Sequence, residues 1–271
     1  MIADQFALVR SALFLPASNP RAIAKARTLA AVDMVILDLE DAVAPDAKAE
    51  ARRGAVEAAA HGGFAGLLAV RLNAWDSGLQ PDDVAALAGA KGFDLIVLPK
   101  VEAAADLAGA RTLGLPMLAM IETPAGVYAA RETAAADGVA GLIAGTNDLA
   151  AALRLPPGAG REAMALALQS IVLAARAGGG IALDGVWNRL DDAAGFEGEC
   201  DAGRALGFDG KTLIHPAQVE PCNRLFGPRA DELEDARALV EAATGGAERF
   251  RGRMIEAMHV AAARRLITRA G

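Results

Sequence analysis

Two carboxylates in this chain each close an apolar run of strand length. Pro116-Met117-Leu118-Ala119-Met120-Ile121 leads into Glu122, and Gly141-Leu142-Ile143-Ala144-Gly145-Thr146-Asn147 leads into Asp148. A buried strand that ends on a charge is where a parallel barrel places its chemistry. Thr123-Pro124 reads as a helix N-cap followed by the first helical position. Acids at helix starts also complement the helix dipole, so each carboxylate has an ordinary structural role open to it. Taken together, two hard oxygen ligands on neighbouring units suit one Mg²⁺, with water and substrate filling its other positions. No His or Cys lies close to either in sequence, which disfavours zinc.

Other polar residues fall at the ends of similar runs. Arg71 closes Leu67-Leu68-Ala69-Val70. An arginine there is either salt-bridged to Glu40 or Asp41, or gripping a carboxylate or enolate oxygen, and one side chain can do both. The run Asp38-Leu39-Glu40-Asp41 alternates, so Asp38 and Glu40 are expected on one face and Asp41 on the other, with Lys25, Lys48 and Arg71 as partners. Lys100 is open to two readings, a Schiff base with a keto acid or a cation balancing an acidic mouth; the second is preferred. His215, before Pro216, reads as a capping residue ahead of a general base. The chain has no P-loop, nucleophile elbow or zinc motif.

Eight short apolar strands are needed to position these residues: Ser11–Pro16, Met34–Asp41, Leu67–Asn73, Leu95–Lys100, Pro116–Glu122, Gly141–Gly145, Ile181–Val186 and Lys211–Pro216. Between them lie alanine-rich segments with helical periodicity, such as 46–60, 103–113 and 162–177. Continuous apolar strands alternating with amphipathic helices predict a parallel sheet covered on its outside, and eight units predict a (β/α)8 TIM barrel over residues 1–226. A doubly wound sheet ranks second, because no Gly-x-Gly-x-x-Gly turn follows the first strand. Phe226-Gly227-Pro228 reads as a boundary. Residues 227–271 then form a C-terminal helical extension, with helices over 231–243 and 253–269, that is expected to pack on a neighbouring subunit.

Composition narrows the function classes. The 271 residues carry a formal net charge of −7 with 4% aromatics, which argues against a nucleic-acid partner. Hydrophobic content is 54%, yet every apolar run is too short to span a membrane. Met1-Ile2-Ala3-Asp4-Gln5 lacks the pattern of a secretory leader, and Cys200 and Cys222 lack metal-ligand spacing, so a cytoplasmic, reducing location is expected.

The sequence resembles the citrate lyase β-subunit group of the HpcH/HpaI aldolase family. The residues that carry the resemblance are Arg10–Pro16, Leu37–Val43, Val70–Asn73, Leu98–Glu102, Ile121–Thr123, Gly145–Leu149, Gly207–Lys211 and His215–Gln218, in order along nearly the whole chain. The resemblance implies a (β/α)8 barrel that binds Mg²⁺ and splits a carbon–carbon bond. Its substrates would be β-hydroxyacyl thioesters of coenzyme A or acyl carrier protein, of citryl, citramalyl or malyl type, giving acetyl thioester and an α-keto acid. It implies Arg71 as the substrate-binding and catalytic arginine, and Glu122 and Asp148 as metal ligands, with Glu122 also facing substrate. Arg10, Ser11 and Lys25 would lie on the side that holds the coenzyme A nucleotide. A C-terminal acid lent by a neighbouring copy would carry the proton, in a homotrimer or higher homo-oligomer. Here Glu256 stands where aspartate is usual, Met258 where proline often follows, and Ala17 where glycine often follows the first strand. Alternatives within the resemblance are a β subunit of a citrate lyase complex and a thioester-binding protein or thioesterase with altered proton transfer.

Overall fold

The computed structural model describes residues 6–270. Met1 to Gln5, read above as lacking a leader, lie outside the described residues. The apolar runs form strands β1 (Ser11–Pro16), β2 (Met34–Asp38), β3 (Leu67–Arg71), β4 (Leu95–Leu98), β5 (Met117–Ile121), β6 (Val139–Ala144), β7 (Ile181–Asp184) and β8 (Gly210–Leu213). Each is parallel to its neighbour in sequence, and Ser11 pairs with Lys211 where β1 meets β8, closing the barrel. The crossovers carry helices α1 (Pro20–Ala26), α2 (Lys48–His61), α3 (Gln80–Leu87), α4 (Ala108–Arg111), α5 (Pro124–Ala134), α6 (Thr146–Ala152), α7 (Ala165–Ala177) and α8 (Ala193–Leu206), and α9 (Val219–Phe226) follows β8. This is the predicted (β/α)8 barrel. None of the described helices is long and apolar enough to cross a membrane.

Alternation along the strands separates two cores. Ala12, Met34, Ile36, Ala69, Leu95, Val97, Leu118, Met120, Ile143 and Leu183 fill the barrel interior, with Phe6 fully buried among them. Leu13, Leu15, Val35, Leu37, Leu68, Val70, Ile96, Ala119 and Leu142 face outward and pack under the helices. Continuing the inward set by two residues leads from Ile36 to Asp38, from Ala69 to Arg71 and from Met120 to Glu122. The side chains that carry charge therefore emerge at one end of the barrel because the apolar ones below them point inward.

The opposite end is tied by acids placed just before strands. Asp33, Asp94 and Asp209 precede β2, β4 and β8, and each accepts a backbone N–H at 2.8 Å, from Arg10, Leu68 and Ala182 respectively. These bonds satisfy amides that the ladder leaves open near the strand starts.

Beyond α9, helix α10 (Ala230–Ala242) is followed by a hairpin, β9 (Glu248–Phe250) and β10 (Arg253–Ile255), and then α11 (Ala257–Thr268). The single helix expected over 253–269 is corrected here. Arg251 and Gly252 turn with φ of 47° and 84°, Arg253–Ile255 pairs antiparallel with Phe250–Glu248, and the helix starts only after Glu256. Ala236, Leu239, Ile255 and Ala263 make a small separate core for this extension. The extension rests on its own barrel through Arg204–Glu232, Arg229–Asp201 and Arg269–Asp209 ion pairs.

Candidate active site

At the C-terminal end of the strands, a cavity of about 350 Å³ is lined by Phe14, Asp38, Asp41, Arg71, Met120, Glu122, Thr146, Asn147, Asp148 and Thr212, among others. Arg71, Glu122 and Asp148 are thus brought together, each from a different strand or the turn after it.

Arg71 is held from two sides. Its Nε and Nη2 donate to Asp38 Oδ1 and Oδ2 at 2.7 and 2.6 Å, a fork that the register makes possible because Asp38 pairs with Arg71 across β2 and β3. The Phe14 ring lies 4.8 Å from the guanidinium carbon. Nη1 sits 2.9 Å from Glu40 Oε2 without hydrogen-bond geometry, so the contact is an ion pair, and that oxygen is buried without a donor among the described residues. Burial alone would lower the arginine's pKa, but the hydrogen bond and charge of Asp38, with Glu40 and Asp41, raise it. The guanidinium is fixed and charged, and Nη1 has no oxygen acceptor in hydrogen-bond geometry among the described residues. That edge is held by ion pairs to Glu40 and, at 3.9 Å, to Asp41, and keeps hydrogen-bonding capacity.

Glu122 is nearly fully buried, at 3% exposed. It follows β5 and precedes Thr123, which caps α5 by accepting from Gly126 N at 3.0 Å, with Pro124 next, as expected from the sequence. Its Oε1 accepts the backbone N–H of Lys100 at 2.6 Å, while Oε2 has no donor among the described residues. Burial, then the charge of Glu40, push its pKa up to about 7; the Lys100 amide opposes this and the Asp148 charge adds to it. Asp148, in the first turn of α6, is 43% exposed at its side chain and opens to the same cavity. Gly145 makes room between them, since a Cβ there would stand 2.3 Å from Glu122 Cβ and Oε2.

Lys100 joins the two halves. Its φ of 51° is unusual for a side-chain-bearing residue and turns its amide onto Glu122. Its Nζ lies 2.7 Å from Glu40 Oε1, 3.6 Å from Asp41 and 3.8 Å from Asp148 Oδ2. Burial pulls its pKa down, yet the bond to Glu40 and the charges of Glu40, Asp41 and Glu122 raise it overall. A lysine so held is a balancing cation and not an amine free to form an imine.

The sequence expectations meet the structure unevenly. Asp38 and Glu40 do reach Arg71, but Asp41 also approaches it, at 3.9 Å, because β2 ends at Asp38 and the alternation stops there. Lys48 donates to the carbonyls of Leu39 and Glu40 and to Asn73 Oδ1, each at 2.7 Å, so it fixes the acidic turn through backbone oxygens. Arg10 and Ser11 are not brought to the mouth. They begin β1 at the far end, where Arg10 forks onto Asp33 at 2.9 Å and Ser11 is fully buried, accepting from Asp33 N. They therefore stand away from the cavity, since strand starts and strand ends lie at opposite ends of a barrel. Lys25 is exposed in the last turn of α1 and has no ion pair among the described residues. Glu256 is the exposed N-cap of α11, its amide donating to His259 Nδ1, and it does not line the cavity of its own chain. His215 caps a turn by accepting from Ala217 N at 3.2 Å. Sequence reasoning missed Phe14, Met120 and Thr212; the inward alternation Ala12, Phe14 was the available signal for the first.

The donor set fits a hard divalent cation. It offers two carboxylates, with Glu122 Oε2 undonated among the described residues, and no histidine or cysteine among the lining residues. No cluster of three or more potential ligand residues of the His, Cys, Asp or Glu type occurs among the described residues. A cation here would take its remaining positions from water and substrate.

Comparison with known proteins gives concordant results. The family model described as HpcH/HpaI aldolase/citrate lyase matches residues 10–216. A "(3S)-malyl-CoA thioesterase" of Cereibacter sphaeroides is 42% identical, covering 99% of this chain and 97% of its own. A "citrate lyase subunit beta-like protein" of Mycobacterium tuberculosis is 35% identical, covering 96% and 94%. The crystal structure of the Mycobacterium tuberculosis CitE protein in complex with magnesium, acetoacetate and coenzyme A superposes with a TM-score of 0.82 at 34% identity, covering 97% of this chain and 98% of that one. With the match spanning the barrel and its mouth, the chain belongs to the HpcH/HpaI aldolase/citrate lyase family.

Proposed function

We propose that the chain is a Mg²⁺-dependent carbon–carbon lyase. It would cleave a β-hydroxyacyl thioester of citramalyl, malyl or citryl type into an acetyl thioester and an α-keto acid. The observation that carries this reading is the Arg71 guanidinium, locked by Asp38 and lining the cavity that Glu122 and Asp148 share. It is supported by the related CitE protein, whose structures contain magnesium with coenzyme A and acetoacetate, or with oxaloacetate.

Glu122 and Asp148 would hold the ion, which when bound supplies Lewis acidity to the hydroxyl and carboxylate of the acid portion. In the cleavage the hydroxyl would give its proton to a carboxylate of the mouth, and its carbon would become the ketone of the keto acid. The electron pair of the broken carbon–carbon bond would pass to an enolate, whose negatively charged oxygen Arg71 meets. A charged donor already fixed in place stabilises that charge without reorganising. Phe14 and Met120 wall the guanidinium and keep water from its face. Lys100, bonded to Glu40, offsets part of the negative charge of the mouth.

The enolate must take a proton to leave as acetyl thioester. The acids near Arg71 Nη1 among the described residues, Glu40 at 2.9 Å and Asp41 at 3.9 Å, are already engaged with Arg71 and Lys100. Glu256 of a second copy is assigned this role. It is exposed and flanked by Met254 and Met258, 70% and 64% exposed, as an apolar collar that contact with another chain would cover. The homo-oligomer, a trimer or larger, and the coenzyme A or carrier-protein thioester belong to the same proposal.

One observation favours a second reading, hydrolysis of the thioester, namely the 42% identity to a protein named as a thioesterase. A panel of citramalyl-, malyl- and citryl-CoA, assayed with Mg²⁺, with EDTA and after Mg²⁺ is restored, tests the proposal. Reversible loss of keto acid formation under EDTA is expected. Keto acid formation indifferent to EDTA, or none from any thioester, overturns it.

A further inference from the structure

The N-terminal end of the barrel carries a second cleft, of about 650 Å³, that the proposed reaction does not use. It runs between the barrel floor and α11 and is lined by Ala7, Leu8, Gly179, Gly180, Ile181 and Asp209 together with Arg176, Arg264, Arg265 and Arg269. Four arginines therefore line a cleft in which, among the described residues, Asp209 is the one carboxylate, and two of them, Arg176 and Arg269, pair with it. Asp209 is already committed: its Oδ2 accepts Arg176 Nη1 at 2.7 Å and Ala182 N at 2.8 Å, and its Oδ1 accepts Arg269 Nη1 at 3.2 Å. Arg176 is further anchored on the carbonyls of Gly180 and Gly207, and Arg269 on that of Asp209. Arg264 and Arg265 are exposed to the cleft and have no acidic partner among the described residues.

Basic residues near a helix C-terminus complement its dipole, which accounts for one or two arginines on α11. It does not account for Arg176, which arrives from α7, nor for Arg265 and Arg269 standing four apart, a like-charge spacing that destabilises a helix. Arg10, itself forked onto Asp33, is close enough, with Arg176, to help lower the pKa of Arg269, whose main cause is burial. Such an accumulation is favourable when an anion joins it. Guanidiniums in fixed orientation match phosphate oxygens in pairs, and among the described lining residues one carboxylate against four arginines leaves charge for two or more phosphates. Leu8, 51% exposed, and Ile181 give the cleft an apolar shelf beside the charge.

We infer that this cleft is a second ligand site, separate from the mouth, that binds a phosphate-type polyanion. The shared chemistry is a chain of phosphates; a free oligophosphate and a nucleoside polyphosphate are its two sources. Arg264 and Arg265 are the ligand-facing pair, whereas Arg176 and Arg269 also hold the wall.

Titration calorimetry of the full chain with sodium triphosphate, in EDTA and at fixed ionic strength, tests this. One saturable site per chain is expected in the wild type and in R71A, with at least tenfold weaker binding in the double variant R264A/R265A, whose unliganded melting temperature and turnover stay unchanged. Replacing triphosphate by adenosine 5′-triphosphate separates the sources: tighter binding assigns a nucleotide lying on Leu8, equal affinity assigns the phosphates alone. No saturable binding of either probe, equal affinity in R264A/R265A, or loss of binding in R71A overturns the inference. None of these outcomes depends on whether the mouth cleaves a thioester.

Discussion

Arg71 shows how much a single residue's chemistry depends on what it is already bonded to. An arginine with all its donors hydrogen-bonded would only cement the barrel. Here Asp38 takes Nε and Nη2, Nη1 meets Glu40 as an ion pair without a hydrogen bond, and the side chain lines the cavity. R71A is expected to lower turnover by about 10²–10³, the usual cost of one lost oxyanion donor. R71K should recover little of it, because an ammonium cannot fork onto Asp38 and still reach outward. Steady-state kinetics of the two variants, with circular dichroism to verify folding, measure this. Glu122 gives a pH prediction. Its folded pKa of about 7 lies above the ordinary 4.5, so the native state holds this proton more tightly than the unfolded chain. The stabilisation is complete below 4.5 and is lost as pH rises through 7, where a buried carboxylate is left charged. Metal-free wild type should therefore lose more melting temperature between pH 5 and pH 8 than E122Q does, a difference that scanning calorimetry in EDTA reads directly.

Among the elements, the strands were legible in sequence because most are apolar runs, the pattern of a sheet covered on its outer face, with β8 the exception that carries Lys211 and Thr212 inside it. Their ends were less so. Runs such as Met34–Asp41 and Leu67–Asn73 overran the observed strands at the mouth, since Glu40, Asp41 and Asn73 extend the alternation in sequence but belong to turns in space. The extension hairpin was missed because β9 and β10 are three residues each and their pairing depends on the Arg251-Gly252 turn, not on periodicity. Glu122 and Asp148 were readable as strand-end carboxylates, whereas the Lys100 amide on Glu122 depends on a positive φ that residue type does not announce. The turn after β6 yields its own prediction. Gly145 lets the Glu122 side chain pass against the backbone, and its φ of −90° is open to any residue, so only space requires glycine. G145A should displace Glu122 and weaken Mg²⁺ binding at least tenfold, about 1.4 kcal/mol, while the fold survives. Metal titration followed by melting temperature would show it, and an unchanged midpoint would contradict the placement of Glu122 as a ligand.

At the scale of the molecule, the barrel has two working ends. The mouth gathers Glu40, Asp41, Glu122 and Asp148 around Arg71 and Lys100, and the floor gathers arginines around Asp209. An overall charge of −7 hides this division, which only the placement of residues reveals. The C-terminal extension links the scales, because α11 contributes to the floor cleft while the turn before it offers Glu256 outward. If Glu256 serves a neighbour's mouth, inactive R71A and inactive E256A chains should regain turnover after subunit exchange, each supplying what the other lacks. Activity absent from every mixture would place proton transfer elsewhere.

The most direct test of the account is the product ratio from a single thioester. Malyl-CoA or citramalyl-CoA incubated with the protein and Mg²⁺, quenched early and resolved by liquid chromatography with mass detection, yields either carbon–carbon cleavage or hydrolysis. The account predicts acetyl-CoA and the α-keto acid in equal amounts, with free coenzyme A thiol absent at early times and both products lost in R71A. Free coenzyme A with the intact hydroxy acid, and no acetyl-CoA, would contradict it.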